Sequence, residues 1–136
     1  MLERPFVMRA SASGKATTEQ LTRLREIEAE LPFILCHVFK YGFLDPPGGI
    51  CKLFDLKQRE IVNSDMPWWS LPETMRAAMA CACVATDEVS RRDSLRVFAK
   101  CHNAFARNYV RPDRRLMAVQ TINENGDPVD VIPATP

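Results

Sequence analysis

Apolar side chains recur at spacings of three and four from Leu21 through Leu24, Ile27, Leu31, Ile34/Leu35 and Val38, which predicts one amphipathic helix. Thr17 opens it, with Gln20 three residues on, a pairing in which each side chain satisfies a free helix-end donor. Pro32 lies inside the stripe and predicts a kink or a break into two helices, because its ring removes a donor and crowds the preceding turn. Gly42 stands where the helix should stop. Asp45-Pro46-Pro47-Gly48-Gly49 then reads as a loop. The apolar runs Ile50 to Leu56 and Ile61-Val62, flanking a charged tetrapeptide, predict a short β-hairpin.

A second helix is expected from Ser70, with Ser70 and Glu73 as a capping box, Pro72 in the first turn, and Leu71, Met75, Met79 and Ala82 on one face. Ala77, Ala78, Ala80 and Ala82 are small enough to let another helix approach closely. Thr86-Asp87 is a short connection, so the following helix should return antiparallel, with Leu95, Phe98, His102, Phe105 and Tyr109 on its stripe. Arg111-Pro112-Asp113 ends it. Leu116 to Ile122, Asn125-Gly126 and Val129 to Ile132 predict a second hairpin. Residues 1–16 carry no period and read as a loose N-terminal segment, leaving 17–136 as the folded unit.

The fold class is therefore mainly α, with helices interrupted by short β-hairpins. The order helix, proline-marked loop, hairpin, helix occurs twice, at a period of roughly 65 residues that suggests repeated helical hairpins. Two such units leave helix faces uncovered, which predicts more polypeptide or self-association through those faces.

Composition narrows the function. With 46% hydrophobic and 26% charged residues, the 136-residue chain has the mix of a globular domain. A net charge of +1 and no Lys/Arg block longer than two argue against a nucleic-acid partner. No apolar run reaches the roughly 18 residues of a membrane span, and none has signal-peptide form. Five cysteines, an odd count placed in apolar patterns, predict reduced, buried thiols and a cytoplasmic setting.

Chemistry concentrates at Trp68, Trp69 and Glu73, where both tryptophans of the chain precede a helix with a carboxylate in its first turn. An indole face suits the C–H face of a pyranose, and a carboxylate accepts hydroxyl hydrogen bonds. The same residues also serve as packing anchors and a helix cap in an ordinary fold. His37 and His102, each after a cysteine, are the chain's histidines. Adjacent helical residues point about 100° apart, which is poor chelate geometry, so no metal site is expected. His102, between Phe98 and Phe105 on the stripe, reads as a core histidine. No phosphate loop or nucleophile triad is present, and no cofactor is implied.

Trp68-Trp69-x-x-x-Glu73 at the start of an Ala-rich helix resembles the motif of the N-acylglucosamine 2-epimerase and cellobiose 2-epimerase family. Tyr41-Gly42-Phe43, Gly48-Gly49 and the hairpin ending in Asp55 resemble the segment that precedes that motif, and the likeness runs from about Leu24 onward. The resemblance implies an (α/α)6 toroid, six helical hairpins around a cavity, of which this chain would hold about two. It implies a small-molecule sugar as partner, with Trp68, Trp69 and Glu73 binding it.

In that family one histidine removes the proton beside the carbonyl of an open-chain sugar to give an enediolate, and a second returns a proton. Both sit at the starts of inner helices on either side of the Trp-Trp-x-x-x-Glu helix. No His-Pro-Gly-His-like segment precedes Thr17, and the second histidine would fall beyond Pro136; Leu71 stands where many members carry His or Gln. The chain is thus expected to be a fragment of a sugar 2-epimerase or isomerase, inactive alone. The alternatives are a non-catalytic helical-hairpin protein that binds carbohydrate or a partner, or another (α/α)6 enzyme. A hydrolase among these would need paired carboxylates, for which Glu73 and Asp65 are the candidates.

Overall fold

A computed structural model of the chain describes residues 14, 16–110 and 119–129. The elements follow the order α1 (Thr18–Gly42), β1 (Phe43–Leu44), β2 (Gly49–Ile50), β3 (Leu53–Asp55), β4 (Glu60–Asn63), β5 (Met66–Pro67), α2 (Ser70–Val84), α3 (Glu88–Asn108) and β6 (Thr121–Ile122). The architecture is mainly helical, with short antiparallel strand pairs β1–β2, β3–β4 and β5–β6.

α1 begins as the sequence predicts: the Thr17 hydroxyl accepts from the Gln20 N–H at 3.2 Å, and the Gln20 side chain accepts from the Thr17 N–H at 2.9 Å. It does not break at Pro32. The helix is continuous for 25 residues, with Pro32 buried inside it. The chain leaves the helix at Phe43, whose extended backbone enters β1 while its N–H still donates to the Phe39 carbonyl. Gly42 ends the helix without left-handed geometry.

α2 and α3 form the expected helical hairpin, joined through Ala85 to Asp87. The Asp87 side chain caps α3 by accepting from the Ser90 N–H at 2.8 Å, and these hydrogen bonds hold its carboxyl below the usual value. Ala78, Cys81 and Ala82 of α2 are buried, as are Ser94, Val97, Cys101 and Ala104 of α3. Small side chains at these positions let the two helices approach closely. Of the expected α3 stripe, Tyr109 is buried and Phe98 and Phe105 pack against the core, whereas Leu95 is exposed, and His102 is exposed rather than a core histidine. Met79 likewise faces outward.

Three further expectations change. Ser70 does not cap α2; it is the first helical residue, its hydroxyl donates to the Pro67 carbonyl at 2.6 Å, and Trp69 occupies the cap position with no side-chain cap bond. Only Cys81 and Cys101 of the five free thiols are buried, and Cys83 is exposed. Thr121–Ile122 also pairs with β5, a contact the hairpin reading did not include. The Asn125-Gly126 turn is nevertheless present: the Asn123 N–H donates to Asp127, the Val129 N–H to Thr121, and Gly126 takes φ 84°. Its other predicted strand residues, Leu116, Met117, Val131 and Ile132, and the Pro112-Asp113 loop lie outside the described residues.

The core centres on Met66, Leu71, Val97, Cys101, Tyr109 and Ile122. Tyr109 is fully buried, its hydroxyl donates to the Met66 carbonyl at 3.0 Å, and burial pushes its pKa up. Beside it the Asn108 amide donates to the carbonyls of Pro47 and Gly48, at 2.7 and 2.9 Å. The end of α3 therefore grips the loop between β1 and β2. The grip explains the glycine pair. Gly48 has φ 104°, and a Cβ on Gly49 would lie 2.7 Å from the Met66 sulfur and 2.8 Å from the Tyr109 hydroxyl oxygen.

Gly49→Ala is therefore expected to cost about 1–3 kcal/mol of stability through overpacking. Gly42→Ala should be neutral or stabilising, since its added Cβ would meet Ile50 at an ordinary 3.7 Å. Urea unfolding midpoints of the two variants check this contrast.

Candidate functional site

The strand pair β5–β6 determines where the two indoles go. Met66 pairs with Ile122 and Pro67 with Thr121, so the chain is still extended when it reaches Trp68. The Trp68 N–H donates to the Gln120 carbonyl at 3.0 Å, and its indole Nε1–H donates to the Gln120 side-chain oxygen at 3.2 Å. Its ring lies 6.2 Å from that of Phe105, and it packs half-buried against the core. Trp68 is thus held at both ends. Trp69, one residue later, already has helical backbone at the N-cap of α2, and it is 49% exposed.

Glu73 follows one turn on. Its N–H donates to the Trp69 carbonyl at 3.4 Å, and its exposed carboxylate accepts from the Arg76 Nε–H at 3.1 Å. Trp69 and Glu73 share the exposed first turn of α2, while Trp68 is committed to packing. The three predicted residues are therefore brought near one another in the chain but not into one equivalent role. Arg76 and Gln120 are the partners that pattern reading missed. Arg76 was open to discovery as an i+3 neighbour of Glu73. Gln120 was not, because its contact with Trp68 spans 52 residues and depends on tertiary pairing.

Glu73 and Arg76 also stand at one end of a groove of about 400 Å³ between α1 and α2, whose walls include Leu31, Ile34, Val38 and Ala77. The groove is apolar except at this end, and neither indole is part of its wall. Asp65, the second carboxylate considered, precedes β5. Its N–H donates to the Asn63 side chain at 2.9 Å, and its carbonyl accepts from Lys52 at 2.8 Å.

The histidines are elsewhere. The His37 ring sits between Phe33 and Tyr41 on α1, with centroids 5.7 and 5.1 Å away, and His102 stacks on Phe98 at 6.3 Å. Among the described residues no group of three or more His, Cys, Asp or Glu side chains is placed to hold a metal ion, and no helix is long and apolar enough to cross a membrane. Burial raises the thiol pKa of Cys36 and Cys51, and pushes that of Cys101 up to about 12. Those three sulfurs are protonated near neutral pH and are poor nucleophiles.

The arrangement offers a half-exposed aromatic face and a charge-paired carboxylate on one exposed helical turn. Comparison with protein-family models, with curated proteins and with solved structures finds no match to this chain.

The different seating of the indoles predicts different costs. Trp68→Ala should lower stability by about 2–4 kcal/mol, losing packing and the Gln120 bond. Trp69→Ala should stay within about 1 kcal/mol of the parent. Thermal unfolding of both variants measures the difference.

Proposed function

We propose that this chain is the sugar-contacting portion of a 2-epimerase or isomerase-like protein built as an (α/α)6 toroid. Trp69 offers its face to the sugar ring, and Glu73, held by Arg76, accepts a hydroxyl hydrogen bond. Trp68 acts as the anchor that fixes the turn. The observation carrying this reading is the half-exposed Trp69 indole one helical turn from an exposed carboxylate. The helix they share follows the Gly48-Gly49 loop and the β3–β4 hairpin, in the order that the resemblance describes.

The substrate class is an open-chain mono- or disaccharide passing through an enediolate, with the acid and base supplied by histidines outside this chain. A second reading, a carbohydrate-binding protein without turnover, is favoured by the Glu73–Arg76 ion pair. A carboxylate beside a guanidinium is a better hydroxyl acceptor than proton donor.

Titration with mannose, N-acetylglucosamine and cellobiose, followed by tryptophan fluorescence, tests the proposal. Trp69→Ala should weaken binding about tenfold, the worth of one stacked ring. Absence of binding to any sugar, or affinity unchanged in Trp69→Ala, would overturn it. Incubation with mannose in D2O separates chemistry from binding. The chain alone should leave the C2 proton in place, and deuterium uptake at C2 would show that it carries its own base.

A further inference from the structure

The outer face of α1 is apolar where the described structure leaves it open. Phe33 is 72% exposed, Ile34 48% and Val38 61%. At 3.6 residues per turn, Ile27, Ile34, Val38 and Tyr41 fall within about 40° of one line along the helix. Leu31 and Leu35 run along the flank facing α2. Glu30, Phe33, His37 and Lys40 run along the other. An apolar strip of this kind on a helix surface marks a contact with another protein surface.

Two features on the second flank identify the occupant. The first is a pocket of about 150 Å³ lined by His37, Tyr41, Phe54, Leu56 and Arg59, aromatic on three sides and comparable in size to a phenyl ring. The exposed Phe33 ring lies one helical turn before it, on the same flank. The second is charge. Glu30, which makes no ion pair among the described residues, precedes the strip, and Lys40 follows it in the last turn, with its Nζ 5.7 Å from the Tyr41 ring.

If α1 meets a second α1 antiparallel about a two-fold axis, each flank meets the same flank of the other copy. A crossing centred at the height of Leu35 then sets Phe33 opposite His37 and Glu30 opposite Lys40. Phe33 of each copy reaches the aromatic pocket of the other, and both ends of the strip pair opposite charges. A parallel crossing would instead set this flank against the Leu31–Leu35 flank of the other copy and leave both pockets empty. We propose that α1 is a self-complementary interface through which two copies of this chain form a two-fold dimer. The proposal uses α1 and the β3–β4 hairpin and does not require that Trp69 or Glu73 bind a sugar, although Ile34 and Val38 share a groove with Glu73 and Arg76.

Sedimentation velocity of the 136-residue chain over a micromolar concentration series tests it, with far-UV circular dichroism confirming that each variant is folded. The parent should dimerise, and Phe33→Ala and Val38→Glu should each weaken association at least tenfold. Glu30→Lys alone and Lys40→Glu alone should each weaken it about tenfold, and combining the two reversals should restore parental affinity. A monomer throughout the series would overturn the proposal. So would association unaffected by Phe33→Ala, or a double reversal no better than the single ones, since each points to a different occupant or a different face.

Discussion

The contact on which the rest of this fold depends is the grip of the end of α3 on the Pro47–Gly49 loop. Tyr109 and Asn108 arrive there at the end of a 21-residue helix and donate to the carbonyls of Met66, Pro47 and Gly48 beside the core. An unmade hydrogen bond at a buried carbonyl costs on the order of 1–3 kcal/mol, so these bonds matter more for what their absence would leave than for their own strength. The fully buried Tyr109 ring then takes the space that a side chain on Gly49 would need. One contact therefore orients α3, places the turn that follows α1, and brings β5 to the core.

The position of the indoles follows from that placement. With Met66 held by Tyr109 and paired with Ile122, β5 runs through Pro67, the chain turns at Trp68 and Trp69, and the helix begins at Ser70. Trp68 therefore leaves on the core side and Trp69 on the outer side. Two adjacent residues of the same type acquire different functions because the backbone changes from strand to helix between them. The carboxylate of Glu73 is carried along by α2, and the hydrogen bond from Arg76 orients it. The geometry of this turn is set by the backbone beneath it, because the outer ring and acid are themselves exposed.

Local signals in the sequence were reliable where the interaction is local. The Thr17–Gln20 box, the short Ala85–Asp87 connection, the hairpin around Asp55 and the Asn125-Gly126 turn are all decided by residues within a few positions of one another. Failures came where tertiary packing chose between local options. Pro32 is tolerated because the ends of one continuous helix are fixed elsewhere, by the cap at Thr17 and the strand at Phe43. Ser70 had a cap signature, but the strand before it delivers the chain one residue too early for that geometry. The stripe of α3 held at Phe98, Phe105 and Tyr109 but not at Leu95 and His102, because the buried face also takes in the small residues Ser94, Cys101 and Ala104. Gln120 and Arg76 complete the candidate site, and the first of these is invisible without the β5–β6 pairing.

The helices are not equally anchored. α2 and α3 bury small residues against each other along their length, whereas the fully buried residues of α1 are Pro32 and Gly42, with Leu35, Cys36 and Phe39 only partly covered. A helix of 25 residues with so little burial gains less from docking than its partners do, yet it carries the loop that α3 grips. Whatever covers its outer face binds the folded arrangement and not the unfolded chain, and so stabilises it by mass action. Because the grip on Pro47–Gly49 links α1 to α3 and β5, that stabilisation reaches the turn bearing Trp69 and Glu73. Covering a surface on one helix would thereby steady the exposed first turn of another, whose Glu73 and Arg76 border the same groove as Ile34 and Val38.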